Sequence, residues 1–278
     1  RLEHAPREDI DRYHKIAVTE GAVEDLFIDL FLDAHGKPPK EIVLDLDATD
    51  DPLHGHQQGR FFHGYYDCSC YLPLYVFCGR HLLVAKLRRS NIDASAGAVE
   101  EVGRIVTRIR ARWPRVRILL RADSGFAREA LMAWCETHRV NYVFGLARNS
   151  RLLDELAMAW AEDEHEKTGK PVRRFRDFRY RTLDTWSRRR RVIGKAEHLA
   201  KGANPRFIVT SLKRKTIDAS RFITDVQGEM HTALAMLDAG YERNPHVKIT
   251  GKSGGWITLS PLVARPAPEN PDALQTET

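Results

Sequence analysis

Four aspartates fall within seven residues of the stretch EIVLDLDATDDPLHGHQ, Glu41 to Gln57: Asp45, Asp47, Asp50 and Asp51, directly behind the apolar run Ile42, Val43 and Leu44. An unpaired charge carried into an interior costs several kcal/mol, so a strand ending this way needs something positive nearby. A divalent cation held by carboxylate oxygens is one candidate. A solvated turn at Asp50, Asp51 and Pro52 is the other, and it leaves only Asp45 and Asp47 to explain. Further along, ILLRADSGF closes a second short apolar run with Asp123. Carboxylates at the C-terminal ends of neighbouring strands converge at the sheet edge where α/β proteins bind ligands. Two such groups suit Mg2+ or Mn2+, and a pair of these ions can activate a nucleophile and stabilise the leaving oxygen of a phosphodiester. Ser124 follows Asp123, but no G-x-S-x-G elbow surrounds it, so serine-hydrolase chemistry is disfavoured. His54, His56 and His63 cluster behind the first strand; a hydrogen-bonded loop explains them better than ligation, because hard cations take oxygen ligands.

The elements that must position these acids follow from apolar periodicity. GAVEDLFIDLFLDAHG, Gly21 to Gly36, reads as an amphipathic helix ending a polar N-terminal segment. A strand leads to Asp47. The aromatic stretch from Arg60 to Arg88 gives two more strands, broken at Gly79-Arg80, in an antiparallel meander. Val99, Val102, Ile105, Val106 and Ile109 repeat at helical spacing, RVRILLRADSG is a strand, FAREALMAWCETHR a helix and VNYVFGLA a fifth strand. The order is βββαβαβ.

The bulk numbers bound the rest. A chain of 278 residues with 42% apolar composition supports one large core or a core with an insertion. Four cysteines, no secretory leader and no run of about 18 apolar residues read as a reduced cytosolic protein without a membrane span. Cys68, Cys70 and Cys78 have poor zinc spacing and read as packed strand residues. The first residue is Arg1 rather than methionine, which suggests that something precedes it. Net charge is +6, yet between Arg173 and Lys215 fifteen Lys and Arg face three acids, which points to a polyanion partner there. Phe175, Phe178, Tyr180 and Trp186 alternate with arginines as in a half-buried antiparallel ribbon. Trp186 suits either the ribbon's own core or the stacking of a splayed base.

VLDLDATDDPLHGHQ, FFHGYYD, CYLPLYVFCG, LRADSGF, YVFGLARN and PRFIVTSL closely resemble one branch of bacterial insertion-sequence transposases of the Asp-Asp-Glu (DDE) class, from the N-terminus to about Leu212. The resemblance implies an α/β fold: an RNase H-like mixed five-stranded sheet flanked by helices, with a mainly β insertion. It implies an N-terminal helical segment over 1–40, a catalytic core over 41–150, a basic β-rich insertion over 151–215 and a divergent, partly disordered tail over 216–278. Asp47, before Ala48-Thr49, matches the first catalytic aspartate and Asp123 the second, both holding Mg2+ or Mn2+; Asp45 competes for the first role. Arg188, Arg189, Arg190, Arg191 and Lys195 would hold DNA. The expected third acid is the point of departure. Laying QGEMH on the family pattern puts His231 at the glutamate and Gln227 at an arginine; Glu229 is carried as the third acid, though about 200° away on a helix, with Glu242 as a second candidate.

The resemblance therefore implies metal-dependent cleavage and strand transfer at the ends of a mobile element. It implies double-stranded DNA as partner, both element ends and target, a homo-oligomer on that DNA, and a cytoplasmic, nucleoid-associated location. A truncated or decayed copy would bind DNA without cutting it; a stand-alone nuclease of the same fold would cut without joining.

Overall fold

The computed structural model describes residues 3–4, 17–18, 21–156, 166–169, 172–199 and 202–213. Gln227, Glu229, His231 and Glu242 lie outside them. Two short strands, β1 (Glu3–His4) and β2 (Ala17–Val18), pair antiparallel ahead of helix α1 (Ala22–Asp33), in a segment whose polar sequence reads as helical throughout. There follow β3 (Glu41–Ala48), β4 (Asp51–Pro52), β5 (Phe61–His63), β6 (Cys68–Tyr71), β7 (Leu74–Cys78) and β8 (His81–Lys86). Next come α2 (Ala98–Arg112), β9 (Arg117–Ala122), α3 (Glu129–Thr137), β10 (Asn141–Leu146) and α4 (Ser150–Asp154). The last described elements are β11 (Val172–Tyr180), β12 (Arg190–Leu199), β13 (Gly202–Ala203) and β14 (Arg206–Thr210).

The central sheet runs β11-β12-β14-β10-β9-β3-β7-β8, with β13 paired to β12. Five consecutive strands of it, β10-β9-β3-β7-β8, pair β10 with β9 and β9 with β3 in parallel, and β3 with β7 and β7 with β8 antiparallel. This is the βββαβαβ arrangement expected of an RNase H-like sheet. The basic ribbon does not stand apart as a separate layer. β14 pairs antiparallel with β10, and β12 and β11 continue from it, so the ribbon covers what would be the exposed edge of β10. The stretch expected as one strand from Arg60 to Cys78 divides: β5 and β6 form a hairpin in a separate three-stranded sheet with β4, and only β7 joins the main sheet. Asp67, with a φ of 53°, makes the turn.

The sheet is asymmetric in what its faces carry. Along β3 the buried residues alternate as Ile42, Leu44, Leu46 and Ala48, which sends Val43, Asp45 and Asp47 to the other face. Val102, Ile105, Val106 and Ile109 of α2, Leu131 and Met132 of α3, and Ile28, Phe31 and Leu32 of α1 join the first set in one core. Helices α1 and α2 are further tied by a regular ladder: Arg104 and Arg108 to Asp25, Arg108 to Asp29, and Arg112 to Asp33, at 2.5–3.2 Å. The partners advance by four residues on each helix, one turn per rung. The pairs are largely exposed, so they fix the alignment of the helices more than they add stability.

A second ionic cluster locks the ribbon to the core. The Arg190 side chain, 2% exposed, donates to Glu129 at 2.6 and 3.1 Å and to Glu136 at 2.8 and 3.1 Å. The two glutamates stand seven residues apart on α3, on one helical face, and Glu136 also accepts from Tyr142 at 2.9 Å. Trp186 is buried, lying edge-on to Tyr180 with the Arg190 guanidinium 5.6 Å from its ring centre. It serves the ribbon's own core, and a base cannot reach its face without opening that contact.

Removing Arg190 leaves two carboxylates facing one another without their main counter-charge. Arg190→Met is therefore expected to lose about 3 kcal/mol in urea denaturation, and Glu129→Gln with Glu136→Gln in the same chain should recover part of it. An Arg190→Met chain as stable as the parent would refute the cluster's role.

Candidate functional site

The register of β3 against β9 decides which aspartate is available. In this parallel pair Asp45 lies opposite Arg121 and Leu46 opposite Ala122, which brings Asp47 and Asp123 next in line at the two C-terminal ends. Arg121 is buried and grips Asp45 with two hydrogen bonds, 2.6 and 2.9 Å. Asp45 is thus neutralised inside the sheet. Asp47, two residues on and on the same face, has no cation partner among the described residues, and the charge that acts on it is that of Asp123.

The electrostatics follow from that placement. Burial, and then the Asp123 charge, push the Asp47 carboxyl up from its ordinary 3.8 to about 6, against the pull of the Ala48 N–H. Asp123 is exposed as a residue, yet desolvation by the protein around its carboxyl still raises it, against the opposing effects of the Gly125 N–H and Arg128. Asp123 caps a short 3-10 turn, Ser124–Phe126, and one of its oxygens accepts from Gly125 N at 2.9 Å. The local reason is the D-S-G sequence, in which an Asp side chain satisfies a free amide two residues on. Ser124 contributes backbone to this turn, and among the described residues its hydroxyl makes no hydrogen bond to a base.

Two residues that sequence reasoning passed over shape the same place. Gly145 on β10 packs against the Asp123 turn so closely that a Cβ would lie 2.9 Å from Ser124 N and 3.1 Å from Asp123 C. Those are backbone atoms, which cannot swing aside. Tyr66 donates to the Ala48 carbonyl at 3.2 Å, and burial, followed by the charges of Asp50, Asp47 and Asp123, holds its phenol protonated. The F-F-H-G-Y-Y-D motif contained the Tyr66 signal, but only the fold shows that it bends back onto Asp47.

Asp50 is buried, with the Cys68 thiol 4.0 Å away, and burial together with Asp50 raises neighbouring Asp51. The solvated-turn reading of this pair is thereby corrected for Asp50. His54 and His56 are exposed and His63 half-buried; among the described residues no cluster of three His, Cys, Asp or Glu is arranged to hold a metal. The four cysteines are free. Asp47 and Asp123 alone are an incomplete ligand set, but its chemistry fits a hard divalent cation: two carboxylates, the charge of Asp123 bearing on Asp47, with no ion pair to either among the described residues.

The expected DNA-binding run divides at the start of β12: the residues before it are exposed and those within it are paired. Arg190 points into the α3 cluster. Arg191 is likewise buried, bound to Asp177 at 2.7–3.1 Å and to the Leu212 carbonyl at 2.9 Å, and Lys195 is paired with Glu197 at 2.9 Å. These three spend their charge inside the protein. Arg188 and Arg189 are exposed, Arg188 leaning on Glu136. Arg179 and Arg181 are exposed beside them, and a cavity of about 670 Å³ opens among Arg179, Arg188, Arg189, Arg191 and Lys213.

The family model described as "Transposase DDE domain group 1" matches residues 1–228. The chain belongs to this transposase family. The match ends at Gly228, so Glu229, His231 and Glu242 lie beyond it. Two solved transposase structures are similar at low identity. One is the cryo-EM structure of a piggyBac transposase synaptic complex with hairpin DNA, 12% identical over 74% of this chain and 41% of that one, with a TM-score of 0.45. The other is the crystal structure of the catalytic domain of Mos1 mariner transposase, 10% identical over 55% of this chain and 73% of that one, with a TM-score of 0.28. The transposase chain thus spans 41% of the piggyBac structure's length. No curated protein matches its sequence. No helix among the described residues is long and apolar enough to cross a membrane.

Two outcomes follow from this geometry. Because the folded Asp47 holds its proton more tightly than the unfolded one, its contribution to stability is complete below about pH 4 and is lost as pH rises through about 6. Asp47→Asn should therefore melt higher than the parent at about pH 8 without metal, the gap closing below about pH 4; calorimetry across that range checks it, and equal melting curves at both ends would refute it. Gly145→Ala must move the Asp123 turn, so Mn2+ titration should show roughly tenfold to hundredfold weaker binding with the sheet intact by circular dichroism. Unaltered Mn2+ binding would show that the turn can give way.

Proposed function

We propose that this chain cuts DNA at the ends of a mobile element and joins the freed ends to target DNA, with Asp47 and Asp123 as ligands for Mg2+ or Mn2+. The observation that carries the reading is the contrast between two aspartates on one strand face: Asp45 is neutralised by Arg121, while Asp47 is left beside Asp123. Membership of the DDE transposase family supports it.

When bound, divalent cations would stabilise charge on the phosphoryl oxygens and help ionise the attacking water. The chain's own contribution is positional. The parallel register holds the two carboxylates at adjacent strand ends, Gly125 fixes one oxygen of Asp123 and leaves the other without a partner among the described residues, and Tyr66 ties the Ala48 backbone in place. Water then displaces the 3′ oxygen of the scissile phosphodiester, leaving a 5′ phosphate and a 3′ hydroxyl. That hydroxyl attacks a target phosphodiester in turn, so the number of phosphodiester bonds is conserved in the joining step. DNA phosphates would rest on the exposed arginines Arg151, Arg179, Arg181, Arg188 and Arg189. The protein would act as a homo-oligomer on element ends in the cytoplasm, at the nucleoid.

A second reading has a specific observation behind it. His231 stands where the resemblance expects a glutamate, and a neutral, softer ligand is a poor substitute for a carboxylate on a hard cation; the chain would then bind DNA without cutting it. Strand cleavage of plasmid DNA carrying the element's flanks, in Mg2+ and in Mn2+, separates the two. Cleavage abolished by Asp123→Ala is the expected result for an active transposase. DNA binding with no cleavage in either metal would establish the inactive form, and cleavage without joining would make it a nuclease.

A further inference from the structure

The two ends of the sheet's parallel strands carry opposite charge. Asp47 and Asp123 lie at the C-terminal ends of β3 and β9, whereas Lys40, Arg115 and Arg139, all exposed, lie within two residues of the starts of β3, β9 and β10. β14 runs antiparallel to β10, so Lys213, exposed three residues past its end, lies at the same edge. None of these four side chains has an acid partner among the described residues. The acids nearby are already taken: Glu41 pairs with Arg117 at 3.1 Å and Asp33 with Arg112 at 2.5 Å.

The backbone of this edge favours an anion in two further ways. Arg139 occupies the left-handed position after α3, with a φ of 56°, which glycine would fill without strain. Arg110 donates to the His138 and Arg139 carbonyls at 2.6 and 3.0 Å, covering the carbonyl end of a helix that would otherwise repel negative charge. Lys40 and Arg115 line one hollow, Arg115 and Arg139 the next, and Asn141 of the second hollow bonds Ser211, two residues from Lys213. The cations thus form one row across β3, β9, β10 and β14, roughly 15 Å long at the usual strand spacing.

A row of unpaired cations, with no exposed large apolar side chain among the residues lining these hollows, suits a phosphate backbone better than a protein, whose interfaces have an apolar centre. From Glu41 to Asp47, β3 spans about 20 Å. A duplex whose phosphate lies at the aspartates would have to turn back on itself to reach this edge, and a persistence length of about 150 base pairs opposes that.

We infer that the edge where β3, β9 and β10 begin holds a second DNA duplex, non-element DNA gripped by its phosphates and separate from the duplex at Asp47 and Asp123. This rests on the function proposed above. Phosphate contacts carry no sequence information, which suits DNA of any sequence.

The test uses the full chain without divalent metal, so that no strand is cut. A duplex carrying the element's end is immobilised and loaded with protein, and a labelled duplex of unrelated sequence is offered in solution. The parent should capture the labelled duplex. A chain carrying Lys40→Ala, Arg115→Ala, Arg139→Ala and Lys213→Ala together should still load but capture roughly tenfold less, and its salt slope for capture should flatten by about 3 to 4 for four lost phosphate contacts. Arg115→Lys with Arg139→Lys should retain capture. Capture absent in the parent, or equal in the fourfold variant, would overturn the inference alone, as would a loss of capture accompanied by altered sedimentation of the free protein, which would make bridging a property of assembled copies. Polyglutamate that competes as well as unlabelled duplex would also overturn it and mark the edge as a site for an acidic protein. Failure of the parent to load on the immobilised end would overturn the inference and the proposed function together.

Discussion

The parallel pairing of β3 with β9 is the constraint on which the candidate site depends. A sheet has a side-chain period of two, so slipping the register by one residue would send Asp47 to the helix-covered face, and slipping it by two would bring Asp47 onto Arg121. Only the observed register leaves one aspartate neutralised and the next exposed to a like charge. That arrangement costs stability, as the raised Asp47 carboxyl records, and the surrounding structure must hold it. The apolar face of β3, packed on the helices, supplies the holding force against a one-residue slip, which would bring Asp45 or Asp47 into the core in place of Leu44 and Leu46.

The ribbon shows the same logic with opposite charge. Of the four arginines Arg188 to Arg191, the first two precede β12 and the last two open it, and successive strand residues face opposite ways. Alternation sends Arg190 to the glutamates of α3 and Arg191 to Asp177, where each is satisfied by multiple hydrogen bonds. The buried members fasten β12 to the core and the exposed members face solvent. Because α3 follows the Asp123 turn directly, the Arg190 cluster also steadies the element behind the second aspartate.

Local pattern made much of this legible. The strand ending at Asp47, the strand ending at Asp123 and the amphipathic helix between Ala98 and Arg112 are each encoded by contiguous residues with strong periodicity, and the motifs around the two aspartates single out Asp47 over Asp45. What escaped was non-local. Nothing near Gly145 in sequence says that its missing side chain makes room for the Asp123 backbone, since those atoms come from the turn that follows another strand, β9. The basic run was legible as charge but not as partnership: Glu129, Glu136 and Asp177 are distant in sequence from the arginines they bind. The aromatic stretch from Arg60 read as a single strand because β-formers continue across the turn at Asp67, where only the backbone reverses.

The two halves of the candidate chemistry are unequally secured. Every contact described for Asp47 and Asp123 comes from residues between Asp45 and Gly145: the β3–β9 register, the Gly125 amide, the close approach of Gly145 and the Tyr66 tether. The third acid that the resemblance implies, Glu229 or Glu242, would come from sequence beyond the family match. Among the described residues, the register that positions the first two and the ionic contacts that hold the ribbon draw on neither of those glutamates. A chain of this family that lost its glutamate would therefore keep its sheet, its paired aspartates and its exposed arginines. The family match is carried by residues 1–228, and the carboxylates expected to complete the proposed site lie beyond Gly228.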